Sequence, residues 1–193
     1  MEVFITVPHG YCPEEEFRVC DTRASFVGTV LTEEMRRLFG DKVVIRTFYA
    51  NKPRSYGDLN RPEMRNTKWR REIQTKVEQA VAKKLKVLLY DIHSFPDDST
   101  SFRTSSVQKS PQVVLLEGET KPSKLPKKIE SETSVDLVTV LRASLINDIT
   151  VQSRIAGAEA MLWEFNESAE RLTDEQVREV AVIMAKYAQE KLK

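Results

Sequence analysis

Short apolar runs that end abruptly alternate along the chain with segments in which apolar residues recur at helical spacing. The first run, residues 3–7, is β-branched and aromatic and stops at Pro8, as expected of a buried strand. From residue 22 onward, apolar residues return every three or four positions as far as Gly40, which predicts an amphipathic helix. A second strand is predicted over residues 42–49. The order strand, helix, strand is typical of α/β proteins.

The same alternation continues to the end of the chain. It predicts a polar helix over residues 62–84 and a strand over 86–92, then a loop rich in Ser, Asp and Pro over 94–111 and a strand over 112–117. Residues 118–133 are charged and predict a solvated insertion. The last predicted elements are a helix over 135–145, strands over 148–152 and 159–165, and a helix over 174–192 capped by Thr173. The expected fold is a three-layer α/β/α sandwich with a mostly parallel or mixed central sheet.

Composition and charge narrow the class of protein. The chain has 193 residues, 40% of them hydrophobic and 31% charged, which predicts one globular domain over residues 1–193. A formal net charge of +1 argues against nucleic-acid binding, and no apolar stretch approaches the roughly 18 residues that a membrane-spanning helix needs. Cys12 and Cys20 predict free thiols, although a bridge between them stays open. With no leader pattern at the start, we expect a cytoplasmic protein.

The chain contains two histidines, and each follows a predicted strand closely. Because ligands bind at the carboxyl ends of parallel strands, we expect His9 and His93 at one edge of the sheet, where they can share a metal ion. Imidazole suits zinc, and a catalytic zinc site needs a third protein ligand. Asp21, at the turn into the first helix, is the preferred third ligand. Cys12 and Glu14–Glu16 are the alternatives.

Two further groups of residues offer substrate-binding or proton-transfer chemistry. Asn60 and Arg61 lie in the loop over 51–62, and an arginine fork beside an amide donor can hold a carboxylate, although loop arginines are more often solvated or salt-bridged. Glu164 stands between Trp163 and Phe165 on the last predicted strand. It lies either at the candidate site or on a solvated face of the sheet.

These residues form an ordered set that resembles the N-formylglutamate amidohydrolase family along most of the chain. The set comprises Pro8-His9-Gly10, Asp21, Asp58-Leu59-Asn60-Arg61, Asp91-Ile92-His93-Ser94 and Glu164. The resemblance implies a phosphorylase/hydrolase-like α/β sandwich related to zinc carboxypeptidases. The chain departs from the family pattern in three ways. Cys12 occupies the glutamate position of the carboxypeptidase His-x-x-Glu motif, and Gly10 replaces the family's usual serine. The chain is also short for the family.

The resemblance also implies a role for each matching position. His9, Asp21 and His93 would bind zinc, Asn60 and Arg61 would hold the carboxylate of a small-molecule or peptide substrate, Arg54 would stabilise the oxyanion, and Glu164 would act as general base. We therefore expect a zinc-dependent hydrolase that cleaves an amide bond next to a free carboxylate, in an N-acyl amino acid or a peptide C-terminus. The alternative is a non-catalytic binding or interaction protein that keeps the fold.

Overall fold

The computed structural model describes residues 1–16, 20–98, 110–116, 124–140 and 147–192, and within these ranges it contains six strands and five α-helices. The strands are β1 (Glu2–Val7), β2 (Val44–Tyr49), β3 (Val87–Phe95), β4 (Val113–Leu116), β5 (Leu137–Val140) and β6 (Glu159–Asn166). The helices are α1 (Ala24–Phe39), α2 (Lys68–Ala82), α3 (Leu125–Glu132), α4 (Asp148–Ile155) and α5 (Asp174–Leu192).

The strands form one mixed sheet in the order β2-β1-β3-β6-β4-β5. The first four of these are mutually parallel, so their carboxyl ends share one edge. β4 runs antiparallel to β6, and β5 runs parallel to β4. β3 is buried along its whole length, as expected of a central strand covered on both faces.

Helices cover both faces of this sheet. On one face α1, α3 and α5 pack over Ile5, Ile92 and Trp163. On the other face α2 and α4 pack over Phe4 and Leu89. The alternation of side chains along each strand supplies these two apolar surfaces. The predicted three-layer α/β/α sandwich is therefore confirmed.

Three local predictions after β4 are wrong. The segment 135–145, expected to be a helix, contains strand β5. Residues 141–146 lie outside the described residues. β5 is extended because it pairs with β4 in parallel register, with Leu137 opposite Val113. The strand expected over 148–152 is helix α4, and α3 lies within the segment predicted to be a solvated insertion. Leu125 and Ile129 of α3 are four residues apart and both buried, so this helix packs on the core.

Two element boundaries also differ from the prediction. β3 continues to Phe95 because its pairing with β6 extends that far, so His93 lies within the strand rather than after it. α2 begins at Lys68 rather than near Pro62, because the Thr67 side chain accepts a hydrogen bond from the Arg70 backbone N–H and caps the helix there. Among the described residues, no helix is long and apolar enough to cross a membrane.

The expectation of free thiols is wrong, because Cys12 and Cys20 form a disulfide with a Cα–Cα distance of 5.5 Å. The connection from β1 to α1 folds back on itself, and the Asp21 backbone N–H donates to the His9 carbonyl oxygen over 3.1 Å. This return brings the two cysteines together. A cytoplasmic location, which rested partly on free thiols, stays a prediction.

Candidate metal centre

Three polar side chains meet at the carboxyl edge of the parallel strands. His9 follows β1, His93 lies near the end of β3, and Asp21 precedes α1. One possible ligand atom from each lies within 4.8 Å of the others, and all three residues are buried. The sequence-based expectation that the two histidines share an edge agrees with this geometry.

Asp21 lies between the two imidazole rings. Its Oδ2 is 3.3 Å from His9 Nδ1 and 3.0 Å from His93 Nδ1. Both rings therefore direct the same nitrogen toward one carboxylate oxygen. Of the alternative third ligands, Cys12 is held in the disulfide, Glu14 and Glu15 are exposed, and the side chain of Glu16 lies outside the described part of the chain. Among these candidates, Asp21 is the residue whose carboxylate lies beside both imidazole rings.

The opposite nitrogen of each ring faces a second carboxylate. His9 Nε2 is 2.6 Å from Asp58 Oδ1, and His93 Nε2 is 3.4 Å from Asp91 Oδ2. A carboxylate behind an imidazole orients the ring and directs its other nitrogen toward a metal, an arrangement found at most histidine metal sites. Sequence reasoning missed these partners. For Asp91 a signal existed, because residues two apart on a strand lie on the same face.

Asn60 supports the site from beneath. It is 4% exposed, its Nδ2 lies 3.0 Å from His93 Nε2, and Nδ2 also donates to Asp91 Oδ2 over 3.3 Å. Its Oδ1 accepts from the Ile149 backbone N–H at the start of α4. Both ends of the amide are thus engaged inside the protein, whereas the sequence-based expectation had this amide contact the substrate.

Two arginines lie at the rim of the site. Arg54 Nη2 and Arg61 Nε donate to the same atom, Asp58 Oδ2, over 3.1 and 3.0 Å. Arg54 Nη1 is also 3.7 Å from Asp21 Oδ1. The side chains of Arg54 and Arg61 are 36% and 32% exposed, so both are partly accessible to solvent.

Glu164 lies on β6 directly opposite His93 in the parallel register, so the two side chains share a face of the sheet. It is partly buried rather than on a solvated face. Burial raises the pKa of Glu164 to about 8, and the carboxylates of Asp21 and Asp91 add to the rise, while His93 and Arg54 oppose it. A carboxyl group with a pKa near neutrality suits proton transfer.

Asp21, Asp58 and His93 also have shifted pKa values. Burial acts to raise the pKa of Asp21 and of Asp58, but hydrogen bonds from the histidines hold both well below the usual range. Burial acts to lower the pKa of His93, yet Asp91 and Asp21 raise it well above its usual value. Asp21 and Asp58 therefore stay ionised near neutral pH, and His93 carries a positive charge before a cation is bound.

The sequence matches no family model and no curated protein. Among solved structures, a gene product of Agrobacterium tumefaciens aligns with a TM-score of 0.64 at 12% identity, covering 99% of this chain and 90% of that one. N-formylglutamate amidohydrolase from Ralstonia eutropha JMP134 aligns with a TM-score of 0.59 at 15% identity, covering 98% and 94%. The chain has the N-formylglutamate amidohydrolase fold.

A second structure with a named activity shares this fold over part of its own length. Succinylglutamate desuccinylase from Chromobacterium violaceum aligns with a TM-score of 0.55 at 12% identity, covering 96% of this chain and 58% of that one. The resemblance drawn from the sequence is thus confirmed at the level of the fold. At these identities the likeness extends to the path of the chain, and the chemistry of the site rests on its own residues.

Proposed function

We propose that the chain is a zinc-dependent hydrolase that cleaves an amide bond next to a free carboxylate, in an N-acyl amino acid or a peptide C-terminus. The observation that carries the proposal is the convergence of His9 Nδ1, His93 Nδ1 and Asp21 Oδ2 at one buried point. The named structures with this fold, an amidohydrolase and a desuccinylase, support the same reaction class.

The donor set fits zinc. Two imidazoles and one carboxylate are the ligands of several catalytic zinc sites, which keep a further position open for water. The carboxylate of Asp58 behind the His9 ring favours an imidazole whose Nδ1 is available to a cation. The chemistry that zinc would supply there is a lowered pKa for a bound water and polarisation of the substrate carbonyl.

Glu164 is the proposed general base. Its place opposite His93 puts the carboxylate on the face of the sheet that carries the centre. Glu164 takes a proton from the attacking water and returns it to the leaving amine nitrogen, which makes the amine a better leaving group. A pKa of about 8 before a cation is bound is compatible with both halves of this transfer.

The arginines serve the substrate. Arg54 lies beside Asp21 and stabilises negative charge on the carbonyl oxygen, whereas Arg61, at the rim, binds the free carboxylate through guanidinium nitrogens other than the Nε held by Asp58. Asn60 is buried, so we assign it the support of His93 and Asp91 in place of direct contact with the carboxylate.

Metal analysis tests this proposal. Protein purified without added metal should carry about one zinc ion per chain, and His9→Ala or His93→Ala should lose most of it, since two remaining ligands rarely hold zinc against water. Asp21→Ala should weaken binding, whereas Glu15→Ala, an exposed acid of the same connection, should not. Full zinc content in both histidine variants would contradict the site, and a zinc-free wild type that binds N-acyl amino acids would favour the non-catalytic binding protein.

A further inference from the structure

Glu167 ties together three chain segments that border the candidate centre. It lies three residues after Glu164, and its Oε1 accepts hydrogen bonds from the Thr22 backbone N–H and from Ser94 Oγ, both over 2.8 Å. Its own backbone N–H donates to the Phe95 carbonyl oxygen over 3.0 Å. One residue thus joins the end of β6, the end of β3 and the entry to α1.

These contacts reach two of the three candidate ligands. Thr22 follows Asp21 in sequence, and Ser94 follows His93. The Ser94 backbone N–H also donates to Asp21 Oδ2 over 3.3 Å, so Ser94 links the Glu167 carboxylate to the atom that lies between the imidazoles. A shift of Ser94 or Thr22 would therefore change the separation of the ligands.

The charge of Glu167 suits this place. Thr22 lies just before the first turn of α1, where backbone N–H groups lack intrahelical acceptors and negative charge is favoured. Ser94 Oγ accepts from the Arg23 backbone N–H over 3.2 Å, so it needs an acceptor for its own hydrogen. Ser94 is 7% exposed, and Glu167 supplies that acceptor where water has little access.

We propose that Glu167 is a positioning residue for the metal centre, which sets the separation of Asp21 and His93 by holding Thr22 and Ser94 together. The importance of this separation for zinc rests on the proposed function. The positioning itself is a property of the metal-free protein, and it is open to measurement there.

Zinc affinity is the first readout, measured by competition with a chromophoric chelator. Glu167→Ala should bind zinc about 10- to 100-fold more weakly, the usual cost of losing a group that orients metal ligands. Glu167→Gln keeps an oxygen acceptor at the same place and should retain most of the affinity. Glu170→Ala removes an exposed acid from the same connection and should match the wild type. Wild-type affinity in Glu167→Ala overturns the proposal.

Amide hydrogen exchange of the metal-free protein is the second readout. In Glu167→Ala the backbone N–H groups of Thr22 and Ser94 should exchange about 10-fold faster or more. The Thr22 N–H loses its acceptor, and Ser94 loses the hydrogen bond that holds its side chain in place. Exchange in the middle of α5 should stay unchanged. Wild-type exchange rates at Thr22 and Ser94 overturn the proposal. If the wild type binds no zinc, the proposed function fails, and this comparison alone decides whether Glu167 positions the two segments.

Discussion

The two histidines of the candidate centre are held by carboxylates in different surroundings. Asp91 is fully buried and also accepts from Thr6 Oγ1 over 2.7 Å, so its place is fixed by the sheet. Asp58 is more exposed and shares its charge between His9 and the arginines at the rim. The orientation of the His93 imidazole is therefore set by the sheet, whereas that of the His9 imidazole is set by Asp58 in the connection between β2 and α2.

Replacing the proposed base tests whether the centre is catalytic. Glu164→Gln keeps the shape of the side chain, so zinc content should survive, while hydrolysis of N-formyl or N-acetyl glutamate should fall by a factor on the order of 10² to 10⁴. Glu159→Gln changes a glutamate at the other end of the same strand and should leave turnover unchanged. Equal turnover in wild type and Glu164→Gln would remove this residue from the mechanism.

Arg61 should control recognition of the carboxylate. In Arg61→Ala, kcat/KM for a substrate with a free carboxylate should fall by about 10- to 150-fold, because a charge-assisted hydrogen bond contributes roughly 1.5 to 3 kcal/mol. A substrate whose carboxylate is capped as an amide should be cleaved equally by variant and wild type. Lys52→Ala, a cation in the same loop, serves as the matched control. Parallel losses on capped and uncapped substrates would contradict the assignment.

The first turn of α4 supports the site from behind the sheet edge. The Asp148 backbone N–H donates to the Asn60 carbonyl oxygen over 3.0 Å, and Thr150 Oγ1 donates to Asp91 over 3.2 Å. Asp148 itself is fully buried, and its carboxylate accepts from Arg70 Nη2 over 2.6 Å and from Arg65. This ion pair fixes the start of α4.

Asp148→Asn should therefore destabilise the fold. The change leaves Arg70, which is 5% exposed, without its charged partner, and breaking a buried pair costs about 3 kcal/mol or more. Chemical unfolding at pH 7 measures the loss, with the exposed Asp41→Asn as control.

The same variant gives a test by pH. Burial acts to raise the pKa of Asp148, but hydrogen bonds from Arg65 and Arg70 hold it below its usual value. The ionised carboxylate thus stabilises the fold above the unfolded-state pKa of about 4, and this stabilisation is lost as the pH falls through the folded-state value. The difference in unfolding free energy between wild type and Asp148→Asn should shrink in acid. A constant difference would show that the charge is not its source.

Sequence reasoning succeeds for the two histidines and fails for α4. The parallel-strand rule brought His9 and His93 to one edge, because strands joined through helices run parallel and their carboxyl ends meet there. Ile149 to Val151 favour a strand by propensity, but pairing of Asp148 with two distant arginines makes them helical. With α4 assigned as a strand, the acceptor role of Asn60 could not be seen.

At the scale of the whole molecule, the centre exists only in the folded chain. Its three candidate ligands come from the end of β1, the entry to α1 and the end of β3, and His93 is 72 positions from Asp21 in sequence. The sheet brings them together, and an unfolded chain offers zinc no such site. Under the proposed function, zinc binding and folding are therefore coupled.

Zinc should raise the thermal stability of the metal-free protein. A ligand that binds only the native state contributes about 4 kcal/mol at a thousandfold excess over its Kd. Scanning calorimetry should show a higher Tm with zinc and little change with magnesium, which prefers sites built from oxygen ligands alone. The His93→Ala variant should not respond to zinc. An equal rise of Tm in that variant would place the stabilising ion elsewhere.

The reversed direction of β4 has a consequence for how this scaffold accepts change. β3 ends and β4 begins at the same edge of the sheet, the edge that carries the candidate centre. Its two ends are fastened to each other, because Ser110 Oγ donates to the Asp97 carbonyl oxygen and Asn166 Nδ2 donates to the Asp97 side chain. Insertions or deletions between Asp97 and Ser110 should therefore leave the strands of the sheet in place. Descendants of this chain can therefore change the length of this segment without rebuilding the fold.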